Sequence, residues 1–283
     1  MTGGTAEAPP LLLGAVAYDP KVVAIWDGFR RWLAQHGLPF DYVLYSNYER
    51  QVDDLAAGRI DVAWNSPLAW VRTRRLCPGA RAVAMRDTDR DLTSVIVVRS
   101  QSGLHGPSDL AGRVVGTGAI DSPQATILPL ALLGAAEKDD VEVRRFDVGV
   151  GLHGDHVGGE RDAARALMAG GVDAACMIDG NHLLFTKEGV FPPGATEVIA
   201  QTPPYDHCNM TVAGSSSPHL EPFVDLLLGM DYADPEVRPL LDLEGLTRWL
   251  PGRLTGYPQL EAAVDASGFY SSTGEVTADG YRP

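Results

Sequence analysis

The sequence predicts an α/β protein made of two related lobes, and three observations support this prediction. The chain has 283 residues, more than one small core needs and enough for two lobes. Predicted strands alternate with predicted helices, a pattern typical of mixed sheets that are mostly parallel and flanked by helices. In addition, a helix–glycine–strand segment at residues 48–64 is repeated at residues 160–176.

The two copies of the repeat share the same order of features. In the first copy an amphipathic helix ends near Gly58, and Ile60-Asp61 opens a strand. In the second copy the helix ends near Gly170, and Val172-Asp173 opens the strand. Glycine suits the left-handed position that follows many helices. This order also occurs at ordinary αβ corners, but the elements that precede each copy repeat as well.

Those preceding elements form a matching set in each half of the chain. A predicted strand leads through a polar turn into a helix, and a second strand follows. The elements are residues 12–17, 22–36 and 40–45 in the first set and residues 113–116, 123–133 and 141–148 in the second. Two such sets in one chain predict two lobes rather than one large sheet.

The segments that connect the sets define the lobe boundaries. A β-branched strand at 92–99 is predicted to lead into lobe two, and residues 198–212 are predicted to return. The C-terminal helices are predicted to pack on lobe one; they are residues 218–230, 235–241 and 257–266. The prediction is therefore lobe one at 11–97 and 206–268, lobe two at 98–205, and flexible tails at 1–10 and 269–283.

The composition excludes several classes of function. The net charge of −14 and the pI near 4.8 argue against binding to nucleic acid or to an anionic membrane surface. No apolar run reaches about 18 residues, so membrane insertion is not expected. Cys77, Cys176 and Cys208 have no CxxC spacing and predict neither a disulfide framework nor a zinc knuckle. Residues 1–10 contain no Lys or Arg, so a secretory signal is not predicted and we expect a cytoplasmic protein.

Four motifs carry a resemblance to a known family. They are LAAGRIDVAWNSP at 55–67, SDLAGRVVG at 108–116, GERDA at 159–163 and LLDLEG at 240–245. With these motifs the chain resembles the phosphate/phosphite/phosphonate-type substrate-binding proteins of ABC importers over roughly residues 11–270. The resemblance implies a type II periplasmic-binding-protein fold, in which two lobes close like a clamp on a ligand, and a transporter as a possible partner.

Two positions depart from the pattern of that family. Phosphonate-binding members have a Ser/Thr triplet where this chain has residues 121–126, and a histidine where it has Glu160. A carboxylate there would repel a phosphonate unless it is protonated or paired, so we expect a different ligand. Some cytosolic enzymes, such as chorismate dehydratase and dihydroxyphthalate decarboxylase, share the fold.

Two predicted helix starts are candidates for anion binding. Ser122-Pro123 places a serine at the N-cap, so the next backbone amides are expected to lack helical partners. Such amides, with the helix dipole, favour a carboxylate, phosphate or sulfonate, although both helix starts could be ordinary caps. Asn65-Ser66 repeats the design in lobe one. The expected ligand-binding residues in these regions are Tyr18, Asn65, Ser66, Trp70, Ser122, Gln124, Ala125 and Thr126.

A glycine-rich segment before the second repeat offers imidazole and carboxylate groups. His153, Asp155 and His156 are possible ligands of a divalent metal such as zinc, iron or manganese, although their spacing matches no zinc motif. Alternatively, this segment binds the substrate through hydrogen bonds, with Glu160 facing a ligand hydroxyl or amine.

Further candidates follow the second repeat and lie at the return segment. Asp179 could bind the ligand, polarise His182, or cap the next helix. His207 and Asn209 are expected to contact the ligand at the floor of the cleft. A nucleophilic pair of His207 and Cys208 is disfavoured, because adjacent side chains on a strand point to opposite faces.

The sequence leaves two functions open. The first is a binding protein that closes on a small polar or anionic metabolite. The alternative is a cytosolic lyase or decarboxylase that uses His156, Glu160, Asp179 or His207 as general acid or base. Neither a dinucleotide-binding fingerprint nor a Walker loop is present, so no nucleotide cofactor is expected.

Overall fold

The computed structural model of the chain describes residues 8–134, 140–147 and 156–282. The strands are β1 (Leu11–Val16), β2 (Phe40–Tyr45), β3 (Val62–Asn65), β4 (Arg81–Arg86), β5 (Ser94–Arg99), β6 (Val114–Thr117), β7 (Glu142–Arg145), β8 (Ala174–Ile178), β9 (Thr196–Gln201), β10 (Asn209–Val212) and β11 (Trp249–Pro251). The α-helices are α1 (Lys21–Gln35), α2 (Tyr48–Ala56), α3 (Pro67–Leu76), α4 (Leu128–Leu132), α5 (Val157–Met168), α6 (Asp179–Lys187), α7 (Leu220–Leu228), α8 (Arg238–Glu244) and α9 (Pro258–Ser267). Short 3₁₀ turns span Asp87–Asp89 and Pro107–Leu110, and a π-helical turn spans Pro123–Ile127. Among these described residues no helix is both long and apolar enough to cross a membrane.

The described chain divides into two units, each with its own sheet. Unit 1 comprises residues 8–90 and 207–254, and unit 2 comprises residues 91–206 and 255–282 apart from the gaps given above. The sheet of unit 1 has the order β2-β1-β3-β10-β4-β11, and that of unit 2 has the order β7-β6-β8-β5-β9. The predicted α/β fold with two sheets flanked by helices is therefore confirmed.

Both sheets are mixed because one strand is inserted antiparallel in each, and in unit 1 the edge strand β11 also runs antiparallel to β4. The parallel pairs are β1 with β2 and β3, and β6 with β7 and β8. β10 runs antiparallel between β3 and β4, and β5 runs antiparallel between β8 and β9. Each inserted strand is the first strand after the chain crosses from the other unit. The repeat in the sequence thus corresponds to a repeated strand order.

The aspartate of each repeat has the same structural role in both units. The Asp61 carboxylate accepts a hydrogen bond from the backbone amide of Leu12 at 2.9 Å, and Asp173 accepts one from Val114 at 3.0 Å. The preceding glycines, Gly58 and Gly170, have φ of 68° and 75°. In that left-handed region a side chain would be strained. The repeated residues therefore connect a helix to the neighbouring strand rather than bind a ligand.

The core of unit 1 is rich in aromatic side chains. The Trp249 ring packs edge-on against Trp64 at 5.7 Å and against Phe29 at 6.1 Å between centroids, and Phe40 stacks on Phe223 at 5.7 Å. Helix α1 supplies buried residues at helical spacing, as an amphipathic helix does. These large buried rings hold the ends of the strands in a fixed arrangement.

Unit 2 has a hydrophobic core on each face of its sheet. Along β5, Val95 and Val97 belong to one core, while Ile96 and Val98 belong to the other. Alternate residues of a strand point to opposite faces, so a central strand covered on both sides is apolar throughout.

The C-terminal part of the chain differs from the sequence prediction. Helix α9 belongs to unit 2, where it packs against α4 and the Pro123–Ile127 turn, so its predicted place in lobe one is wrong. Residues 269–282 were expected to be a flexible tail, and this is also wrong. Phe269 is buried and contacts the rings of Tyr270 and Tyr281 at 4.8 and 5.0 Å between centroids. Aromatic burial, which the polar composition of this segment concealed, holds it in place.

A glycine beside β4 provides a first testable prediction. The Gly252 amide donates a hydrogen bond to Val83, and a Cβ at Gly252 would lie 2.1 Å from the carbonyl oxygen of Ala82. Gly252→Ala is therefore expected to lower the free energy of unfolding by about 1–3 kcal/mol, measured by denaturant titration. Gly79→Ala is the matched control, because no heavy atom lies within 4 Å of its added Cβ. Equal unfolding midpoints for the two variants would contradict the prediction.

Candidate functional site

One end of the unit 1 sheet gathers the polar residues that follow its strands. β1, β2 and β3 are parallel neighbours, so their carboxyl ends lie together. β10 begins at the same end, because Asn209 pairs with Asn65, and β4 ends there too. In open α/β sheets, ligands bind at such carboxyl ends. The residues at this end, called the unit 1 edge below, are Tyr18, Lys21, Ser66, Arg86, Asp89, His207 and Cys208.

Arg86 is the centre of an ionic network at the unit 1 edge. Its guanidinium donates to both carboxylate oxygens of Asp89, at 2.5 and 3.0 Å, and to the backbone carbonyl of Glu244 at 2.8 Å. The Glu244 carboxylate lies 3.5 Å from the same guanidinium, and the Trp64 ring centroid lies 5.2 Å from it. Burial works to raise the pKa of Asp89, but Arg86 outweighs it and lowers that pKa to about 2. Burial raises the pKa of Glu244 to about 7.

His207 and Cys208 complete the network. The imidazole Nδ1 of His207 lies 3.2 Å from Cys208 Sγ and 3.4 Å from Asp89 Oδ1. Burial lowers the pKa of His207, but the Cys208 sulfur and the Asp89 carboxylate more than offset this and raise it to about 10. The expectation that His207 and Cys208 point apart is wrong. β10 begins only at Asn209, so the alternation of a strand does not apply to these two residues.

Ser66 is the N-cap of α3, as predicted. Its hydroxyl accepts a hydrogen bond from the Ala69 amide at 3.2 Å. Tyr18 is partly buried against the unit 1 core, and the Lys21 ammonium lies 5.5 Å from the centroid of its ring. Ser66 follows β3 and Tyr18 follows β1, so both lie where a ligand at the carboxyl end of the sheet would bind.

Three predicted ligand-binding residues of unit 1 are buried inside it. Asn65 is fully buried and bonds to Gln51 at 2.8 Å and Thr73 at 3.2 Å. The Trp70 side chain is 1% exposed, and Asn209, also fully buried, accepts a hydrogen bond from the Thr211 hydroxyl at 2.6 Å. All three side chains are buried in this structure, and their contact with a ligand stays a prediction. Whether each side chain points inward depends on packing, which the sequence pattern did not reveal.

In unit 2 the turn after β6 has a different hydrogen-bond pattern from the one predicted. Ser122 is the expected N-cap, and its hydroxyl accepts from the Ala125 amide at 3.2 Å. Its carbonyl accepts from the Thr126 and Ile127 amides, both at 3.1 Å. The turn is π-helical, so the prediction of free amides is wrong for Ala125 and Thr126. The Gln124 side chain is largely buried.

Glu160 is a fully buried residue of the first turn of α5. Its carboxylate accepts hydrogen bonds from the Ile178 amide at 3.0 Å and from the Asn181 side chain at 2.8 Å. Glu160 thus ties α5 to the end of β8 and the start of α6. Both of these donors are neutral amides, so they hold the carboxylate in place without cancelling its charge.

Asp179 is the first residue of α6, whose N-cap is Ile178 and has no side-chain cap, so the prediction that Asp179 caps this helix is wrong. Its carboxylate accepts from the Gly180 amide at 2.6 Å and from the Thr93 hydroxyl at 2.8 Å. His182 instead lies 3.0 Å from the Thr196 hydroxyl, so the idea that Asp179 polarises His182 is wrong. His182 lies three positions after Asp179 in α6, and the two side chains bond to different partners, Thr196 and Thr93.

The predicted metal-binding segment is described only at its end. His156 is buried directly before α5, and its carbonyl accepts a hydrogen bond from the Glu160 amide at 3.2 Å. His153 and Asp155 lie outside the described residues. A metal site formed by these three residues therefore stays a prediction.

Comparison with known proteins agrees with the architecture. The two mixed sheets with an inserted antiparallel strand define the type II fold of periplasmic binding proteins. A family model described as "ABC transporter, phosphonate, periplasmic substrate-binding protein" matches residues 15–257. The chain belongs to this phosphonate-type substrate-binding protein family.

Several solved structures share the fold. PhnD1 from Prochlorococcus marinus, in complex with methylphosphonate, has a TM-score of 0.65 and 18% identity, and the match covers 90% of this chain and 97% of that chain. XAC2383 from Xanthomonas citri, bound to ATP, has a TM-score of 0.67 and 17% identity, with coverage of 92% and 98%. The aliphatic sulphonate binding protein SsuA from Escherichia coli has a TM-score of 0.51 and 16% identity, with coverage of 91% and 83%.

Proposed function

We propose that this protein is the substrate-binding component of an ABC importer and binds a small organic anion with a phosphonate or sulfonate group. The carrying observation is the concentration of cationic and donor groups at the unit 1 edge of a chain whose net charge is −14. Lys21, Arg86 and His207 lie at this edge, and so does Ser66. Asp89 and Glu244 face Arg86 and His207, so among the described residues of this edge Lys21 is the cation that forms no salt bridge. Local donors, rather than net charge, decide which ligand a protein binds.

Family membership supports an oxyanion as the ligand. The family is described as phosphonate-binding, PhnD1 was solved with methylphosphonate, and SsuA is named for aliphatic sulphonates. Phosphonate and sulfonate groups share a tetrahedral head of oxygens, which accepts several N–H or O–H donors at once. We therefore treat both heads as candidates and separate them by experiment.

Isothermal titration of the full chain with methylphosphonate and with methanesulfonate tests the proposal. We expect saturable binding of at least one of them, without chemical conversion of the ligand. Lys21→Met should weaken it about tenfold, since a charge-assisted hydrogen bond contributes roughly 1.5 kcal/mol or more. Lys187→Met is the control, because Lys187 is an exposed lysine in the last turn of α6 of unit 2.

Each arm has an outcome that contradicts the proposal. If neither methylphosphonate nor methanesulfonate binds, both the phosphonate and the sulfonate group are excluded. Equal affinities of the Lys21→Met and Lys187→Met variants would remove the unit 1 edge as the anion site. Conversion of the ligand during the titration would favour the lyase alternative.

A further inference from the structure

We propose that unit 1 has a zinc site formed by Asp89, His207 and Cys208. One carboxylate oxygen, one imidazole nitrogen and one thiol sulfur of these residues lie within 4.8 Å of one another. They come from a 3₁₀ turn after β4 and from the segment before β10, two parts of the chain that are joined by the hydrogen bond from the His207 amide to the Asp89 carbonyl at 2.8 Å. The proposal does not depend on the proposed function.

Two of the three distances between these atoms are close to those of a tetrahedral ion, and the third, between Cys208 Sγ and the Asp89 carboxylate, is at most 4.8 Å. His207 Nδ1 lies 3.2 Å from Cys208 Sγ and 3.4 Å from Asp89 Oδ1. With zinc bonds of about 2.0–2.3 Å, two ligand atoms of a tetrahedron are separated by roughly 3.3–3.6 Å. His207 is therefore already at a suitable distance from both partners, and Cys208 Sγ and the Asp89 carboxylate, which lie within 4.8 Å, need to be about 3.5 Å apart to share an ion.

The donor set selects the kind of metal. A thiolate with an imidazole favours zinc or a similar late transition metal, whereas magnesium and calcium prefer oxygen ligands alone. Zn²⁺ displaces two protons, one from the Cys208 thiol and one from the His207 imidazolium, and both are released to solvent. The ion together with the Cys208 thiolate, the Asp89 carboxylate and the neutral His207 ring then has no net charge. Three protein ligands leave a fourth position for water or another molecule.

Neighbouring side chains hold Asp89, the first of the three proposed zinc ligands, in place. Arg86 donates to both oxygens of Asp89 and thereby fixes the plane of the carboxylate. The charge of Arg86 is in turn faced by Glu244. Hydrogen bonds of this kind orient the ligands of a metal and tune its affinity. Arg86 is thus a positioning residue in the proposed site.

Titration of the tag-free, EDTA-treated full chain with ZnCl₂ tests the site. We expect one equivalent of tight binding, and at least a tenfold loss of affinity in His207→Gln and in Cys208→Ser. Cys77→Ser and His36→Gln are matched controls, since they remove a thiol and an imidazole of unit 1 outside the cluster, and they should bind zinc like the wild type. Unchanged affinity in both His207→Gln and Cys208→Ser would overturn the proposal.

Cobalt gives a second readout that does not depend on how well the variants fold. Co²⁺ added to the wild-type chain should produce a thiolate-to-cobalt charge-transfer band and the intense visible bands of tetrahedral cobalt. The same spectrum is expected from Cys77→Ser. A cobalt spectrum without the thiolate band would refute ligation by Cys208. Methylphosphonate binding, measured separately on the metal-free chain, decides the proposed function independently.

Discussion

Arg86→Met is expected to lower the free energy of unfolding by about 3–5 kcal/mol, because two buried carboxylates would lose their cation. The side chains of Asp89 and Glu244 are 2% and 6% exposed, and Arg86 donates to both residues. Removing Arg86 leaves Glu244 without its cation and leaves Asp89 with His207 alone, at 3.4 Å. Denaturant titration of the variant and the wild type measures the effect.

Arg30→Met is the matched control for this substitution. Arg30 also binds two carboxylates, Asp27 at 2.7 Å and Asp41 at 3.2 Å, but its side chain is 46% exposed. Water and salt screen such a pair, so the expected loss is at most about 1 kcal/mol. Similar losses for Arg86→Met and Arg30→Met would mean that the unit 1 network is not a buried one.

The penalty of Arg86→Met should also depend on pH. The pKa of Glu244 in the folded protein is about 7, above its usual 4.5, so the folded state binds the extra proton between these values. The contribution of Glu244 to stability therefore falls as the pH rises from 4.5 through 7. At pH 5 Glu244 is protonated, so Asp89 is the one carboxylate of the network that loses the Arg86 charge, and His207 still faces it at 3.4 Å. We expect a smaller penalty at pH 5 than at pH 8, and a larger one at pH 5 would contradict this assignment.

Glu160→Ala is expected to lower the free energy of unfolding by roughly 2–4 kcal/mol, from the loss of two hydrogen bonds and the cavity left behind. The carboxylate is fully buried and accepts from the Ile178 amide and the Asn181 side chain. Without it, the Ile178 amide loses the acceptor that this carboxylate provides. Thermal or denaturant unfolding followed by circular dichroism measures the change.

Glu188→Ala gives the comparison for a surface glutamate of the same unit. Its carboxylate accepts hydrogen bonds from two guanidinium nitrogens of Arg161, Nε and Nη2, each at 3.0 Å, but it is solvent-exposed. A far smaller effect is expected, since exposed ion pairs contribute little. If Glu160→Ala unfolds at the same midpoint as Glu188→Ala, the structural role of Glu160 is wrong and its predicted role toward a ligand regains support.

The repeat predicted the architecture because its residues have backbone roles. Gly58 and Gly170 end helices in the left-handed region, and Asp61 and Asp173 bind the amide at the start of a neighbouring strand. These requirements are local and chemical, so they are visible in the order of residues. The antiparallel insertions of β5 and β10 were not visible, because the alternation of strands and helices says nothing about which strand pairs with which.

The candidate site was predicted only in part. Ser66 and Ser122 cap the helices as predicted, since capping depends on residues within one turn. Asn65 lies next to Ser66 but points into the core toward Gln51 and Thr73. A polar residue at the end of a strand can bond inward or outward, and the choice depends on side chains from other elements.

The order of residues alone determined that this chain forms two α/β units with repeated helix–glycine–aspartate–strand corners and capped helix starts. Tertiary structure decided which polar groups meet. Asp89, His207 and Cys208 form one cluster because β10 is inserted antiparallel beside β4, which brings the end of one segment to the start of another. Their proximity depends on the pairing of distant strands, and no local pattern in either segment encodes that pairing.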